Sequence, residues 1–207
     1  VKVPVLRALV LAALCTAVVA PSTAALAPPS DRPSSAVDLP LRTGSPYTMC
    51  LTDAATRQLA DAGMELEAVA PVTLTTTDGH RCLHWTLDGG RLESDLSGLG
   101  AVSEGGFALR KGNQRAEFTH LVASLILGDT DVRATTEHLG RTMPTLSSPA
   151  STVKLSPTDG IGADNVPSNL APEATRAITT AIPASPLTPG QQLFTTNAHI
   201  PLAPALP

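Results

Sequence analysis

Aromatic side chains are nearly missing from this 207-residue chain: Tyr47, Trp85, Phe107, Phe118 and Phe194 make up its 2%. A stacking platform for bases needs several such rings on one surface, so that class of binding is excluded, and the core falls to Val, Leu, Ile and Ala. Runs of Lys and Arg are also lacking, and 18 acidic residues outnumber 14 basic ones. Without a basic tract to displace counterions, nucleic acid is not an expected partner. Beyond the N-terminal apolar run, no stretch approaches the roughly 20 residues of a membrane-spanning helix. Gly-x-Ser-x-Gly and Cys-x-x-Cys do not occur, and Gly160-Ile161-Gly162 lacks both a third glycine and a preceding buried strand. These absences remove the signatures of nucleophilic, redox and nucleotide chemistry, and the chain reads as a non-enzyme with no cofactor called for.

What is present begins with an export signal. Lys2 and Arg7 flank the start of an apolar run over 8–20, and small residues follow at Ser22, Ala24, Ala25 and Ala27. That is the order of a secretory signal peptide, assigned to 1–24. Its loss removes Lys2 and Arg7 and no acid, taking the formal net charge from −4 to −6. Cys15 leaves with it. Cys50 and Cys82 then remain in an oxidising compartment, where a disulfide is the expected outcome.

Residues 25–45 are rich in Pro, Ser and Ala and read as a disordered tether. A β-rich domain follows over 46–140. Thr52 or Asp53 caps a short amphipathic helix over 54–62, with Leu51, Ala55, Leu59 and Ala62 on one face and Gly63 at its end. Strands are expected over 64–70, 72–77, 80–87, 106–110, 115–127 and 132–137, with Trp85 facing inward. Turns at such short intervals predict a mainly β fold, an antiparallel sandwich-like domain with one or two short helices. Pro, Ser and Thr mark 141–151 as a connection. Beyond it, Leu170-x-x-x-Ala174-Thr175-Arg176-x-Ile178 echoes Leu51-x-x-x-Ala55-Thr56-Arg57-x-Leu59, and a strand-like run follows over 192–200. Residues 152–207 therefore read as a second helix-plus-strand unit docking on the same domain.

The histidines give few constellations. His80 and His84 lie four apart, which on a strand separates them by about 13 Å at roughly 3.3 Å per residue. His120 sits in an apolar strand, and Tyr47 is the lone phenol that could ligate an iron. Carboxylates two apart, as in Asp129-Thr130-Asp131, can hold a weak calcium ion at most.

The order of a short helix, Gly, strand, Pro, strand, then Gly-Gly-Phe-Ala-Leu-Arg-Lys-Gly over 105–112 and an apolar strand ending at Gly128 resembles uncharacterised secreted proteins of actinobacteria. It is also distantly similar to HtaA-type haem-binding domains. Those domains carry a histidine in a Gly-His-x-Gly segment, where this chain reads Ser103-Glu104-Gly105-Gly106. What the resemblance implies is a β-rich secreted architecture. The leading expectation is a secreted or envelope-associated non-enzymatic module that binds a cell-wall component, another secreted protein or a small ligand. Tyr47, His84 and His120 are the candidate ligand-binding residues. The alternatives are a haem or metal carrier using Tyr47 with His84, His120 or His138, and a hydrolase using a Ser or Thr beside one of these histidines and a carboxylate.

Overall fold

The computed structural model describes residues 36–204 apart from 78 and 127. The signal peptide and most of the tether lie outside the described residues. The elements run β1 (Asp38–Pro40), β2 (Pro46–Leu51), α1 (Asp53–Asp61), β3 (Glu65–Val69), β4 (Thr73–Thr77), β5 (His80–Thr86), β6 (Gly89–Glu93) and β7 (Gly98–Lys111). They continue with β8 (Gln114–Ile126), β9 (Asp131–His138), β10 (Arg141–Pro149), a 3-10 turn (Ala150–Thr152), β11 (Val153–Ser156), β12 (Gly160–Leu170), α2 (Pro172–Ala181) and β13 (Gln192–Ile200).

Each helix starts where a residue suits the first turn, a side-chain cap in α1 and a proline in α2. Thr52 Oγ1 accepts the Ala55 N–H at 3.1 Å, satisfying one of the orphan donors at the start of α1. Pro172 stands in the first turn of α2, where a missing N–H costs nothing, and Pro183 stops the helix after Ile182. The sequence echo becomes spatial: Ala55 and Ala174 are both fully buried, each just after a strand. Helix α1 packs near β5 and β13, whereas α2 lies against β8 and β10.

Among the described residues all strands belong to one antiparallel sheet, ordered β1-β6-β7-β8-β9-β10-β12-β13-β2-β5-β4, with β3 on β7 and β11 on β12. The sheet curls into a half-barrel, giving the sandwich-like β architecture. Phe107 on β7 meets Phe194 on β13 edge-on at 5.4 Å, although β8, β9, β10 and β12 separate their strands along the sheet. An isolated bridge between Leu41 and Leu202 ties the first strand's end to the chain leaving β13. Where β7 and β8 bend most, the register slips between Ser103 and Gly106. A Cβ on Gly106 would lie 2.0 Å from the Phe118 carbonyl oxygen, so glycine is obligatory at this close approach.

Two expectations need correction. Residues 38–40 of the tether form β1, paired with β6. The 141–151 connection is mostly β10, which hydrogen-bonds to β9 on one side and β12 on the other. Its Pro144 sits at a bulge, where the missing N–H is tolerated, and Thr145 and Leu146 are buried. Strand β12 escaped notice for the same reason: Asn165 at φ +53° and Pro167 break its alternation around a bulge.

Candidate functional site

The structure does not bring Tyr47, His84 and His120 together. Tyr47 and His84 sit on neighbouring strands but face opposite sides of the sheet, since Tyr47 pairs with Trp85 and Thr48 with His84. The Tyr47 ring stacks on Trp85, with centroids 5.9 Å apart, and only 9% of the residue is exposed. Burial pushes its phenol far above the ordinary range, outweighing a hydrogen bond from Ser103 that lowers it, and Asp88 adds a further upward push. Such a phenol holds its proton and is a poor anionic ligand.

His84 meets Thr75 Oγ1 at 2.6 Å through Nε2. Among the described residues no carboxylate accompanies it, so this Thr–His contact lacks the group that would orient a catalytic imidazole. His120 lies at the β8 bulge with φ +54°, its Nδ1 3.1 Å from Glu104 Oε1 on the facing bulge. Glu104 in turn donates its backbone N–H to Asp88 Oδ2 at 2.6 Å. His80 stands 3.4 Å from Asp53. Asp129 faces Arg133, and Asp131 accepts from Thr130. Among the described residues, no three His, Cys, Asp or Glu side chains converge on a metal position. Cys50 and Cys82 are bonded, joining paired positions on β2 and β5.

The histidine with a prepared environment is His138, at the end of β9. Its ring stacks on Phe118 at 5.1 Å and 25°, and Nδ1 lies 2.7 Å from the Glu117 carbonyl oxygen. A carbonyl only accepts, so Nδ1 carries the proton and the lone pair of the neutral ring sits on Nε2. Desolvation lowers the pKa of His138, favouring that neutral form. The next two residues, Leu139 and Gly140, form the tip of the β9–β10 hairpin with φ of +50° and +73°. A two-residue turn with both angles positive favours Asn-Gly or Asp-Gly. Leucine there is strained, and it is 89% exposed. Arg115, Glu117, Thr119 and Glu137 complete a shallow depression of about 410 Å³ around this tip. Arg141 is directly opposite His138 in the hairpin. The sequence signal for the tip was a leucine in a two-residue turn, visible only once β9 and β10 are known to pair.

Inside the half-barrel lies a second, smaller space of about 120 Å³, walled by aliphatic side chains, Tyr47 and a few hydroxyls.

Searches against protein-family models and curated proteins found no match. Among solved structures, the C-terminal domain of HtaA from Corynebacterium glutamicum superposes with a TM-score of 0.55 at 12% identity, covering 79% of this chain and 99% of that domain. The fold is HtaA-like. The heme binding protein HtaB from the same organism aligns at a TM-score of 0.44 and 9% identity, over 81% of this chain and 97% of its own. The likeness to the HtaA domain is one of architecture over about four fifths of the chain. At this identity it transfers no residue roles, and among the described residues no helix is long and apolar enough to cross a membrane.

Proposed function

We propose that this protein is an exported, non-catalytic carrier on an HtaA-like half-barrel, and that its cargo is haem, held at the β9–β10 hairpin. The observation that carries this reading is His138 and Leu139 side by side: a neutral imidazole backed by Phe118, next to a leucine held out in water by a strained turn. Exposed apolar surface and left-handed backbone are both unfavourable in the free protein. A flat apolar ring seated on Leu139 offsets the first and gives the second a purpose. The depression of about 410 Å³ falls within the usual range for small-molecule sites, about 300–1,000 Å³. Histidine Nε2 is a common haem ligand, and hydrogen bonding of the other ring nitrogen to a carbonyl orients it. Arg141, on the same face as His138, is placed to meet the anionic rim of the cargo. The likeness to the HtaA domain supports the same reading, and export rests on the signal-like pattern of residues 1–24. Tyr47 is buried and takes no part.

Titration of haem into the full disulfide-bonded chain, followed by Soret absorbance, tests this. Saturable change is expected in the wild type, lost in His138→Ala and retained in Tyr47→Phe and His120→Ala. No saturable change in the wild type, or full binding by His138→Ala, sinks it.

A further inference from the structure

We propose that the concave interior of the half-barrel is a separate binding site, for a compact uncharged apolar molecule carrying one hydrogen-bond acceptor. The space of about 120 Å³ is bounded by β2 and by β7 through β13, and contains neither a phenylalanine nor a helix residue in its wall. Phe107, Phe118 and Phe194 fill another part of the same core. In the cavity wall the strands instead present Ala101, Ala123, Ala134, Ala163 and Ala198. Alanine is a poor strand former and fills little volume, so its repetition at inward positions keeps space open that a valine would close. Met49, Leu146 and Val166 of the wall are buried, while Val132 and Val153 are half-buried.

The size decides the class of occupant. An apolar cavity of about 150 Å³ admits a benzene-sized molecule, and drug-sized ligands need about 300 Å³ or more. Haem therefore cannot enter, which makes this site independent of the one at His138. No charged side chain lines the wall, so ions are excluded as well.

Two groups of hydroxyls stand in the wall, the Tyr47–Ser103 pair and a longer row. Ser148, Ser168 and Thr196, on adjacent β10, β12 and β13, form a row with Oγ–Oγ of 3.2 Å and Oγ–Oγ1 of 2.7 Å. Three hydroxyls carry three protons and share two bonds among themselves, so one O–H is left over. That donor calls for a carbonyl or ether oxygen on the ligand. A pure hydrocarbon leaves it unmet.

The test uses cyclopentanone and cyclopentane with the full disulfide-bonded chain, read by ligand saturation-transfer NMR and by emission of Trp85, which stacks on the cavity-lining Tyr47. Both probes should bind saturably, the ketone about fivefold tighter for its one hydrogen bond. Filling the space with Ala134→Phe, or the milder Ala123→Leu, should weaken both at least tenfold, and haem titration should be unchanged. The combined Ser148→Ala, Ser168→Ala and Thr196→Val variant should reduce the preference for the ketone, and adding Ser103→Ala and Tyr47→Phe should erase it. Absence of saturable binding by the wild type, or undiminished binding in folded Ala134→Phe and Ala123→Leu, overturns the proposal.

Discussion

At the scale of single residues, His138 shows how burial and one hydrogen bond define a chemical state. Its imidazole is favoured neutral because part of its hydration is lost against Phe118. The sign of the consequence follows from linkage. A base whose folded pKa is depressed binds fewer protons in the native state than in the unfolded one, so stability rises with pH through that window. The urea midpoint should therefore fall as pH drops below the ordinary histidine value of about 6.5, and level off once the folded pKa is passed. His138→Gln should flatten that limb when the two midpoint curves are compared. From the sequence His138 stood among the alternatives for a haem ligand, with Tyr47, His84 and His120 ranked above it. What separates them is burial and direction. Tyr47 and His84 are near neighbours across β2 and β5 and yet face opposite ways, a fact that belongs to register.

At the scale of elements, most helices and strands followed from periodicity. The helix read over 54–62 is α1 at Asp53–Asp61, and the strand read over 192–200 is β13 at Gln192–Ile200. The strands that were missed are β1, β2, β6, β10, β11 and β12; of these β6, β10 and β12 are rich in Gly, Pro, Ser or Asn, and β1 and β11 are only three and four residues long. Their strand character comes from partners on either side, a tertiary override of weak local propensity. The disulfide acts at this scale too. It clips β2 to β5 across a separation of 32 residues, closing the loop that contains α1, β3 and β4. In the chain-entropy model such a loop is worth about 3–4 kcal/mol. A Cys50→Ala, Cys82→Ala double variant should lose about that much in urea unfolding without reductant. A loss below about 1 kcal/mol would show that the unfolded chain is already restrained.

At the scale of the whole molecule, the order of strands makes the C-terminal quarter indispensable. Strands β12 and β13 lie between β10 and β2, so β2, β5 and β4 connect along the sheet to the other strands through residues near the end of the given sequence. Leu170, Ile178, Leu193 and Phe194 are all buried there. A fragment ending near 145 should be unfolded by circular dichroism, and limited proteolysis should not release a stable core of that length. A protected, soluble fragment would refute this. The sequence by itself determined that the chain is β-rich, that Cys50 and Cys82 pair and that the common catalytic motifs are lacking, because these rest on local pattern and composition. Only the tertiary structure decided which strands neighbour one another, that alanine-bearing strands enclose a cavity, and that a histidine and an exposed leucine share a hairpin tip. Those depend on pairing between residues far apart in the chain, where a single bulge turns a side chain to the other face and leaves no trace in the local pattern.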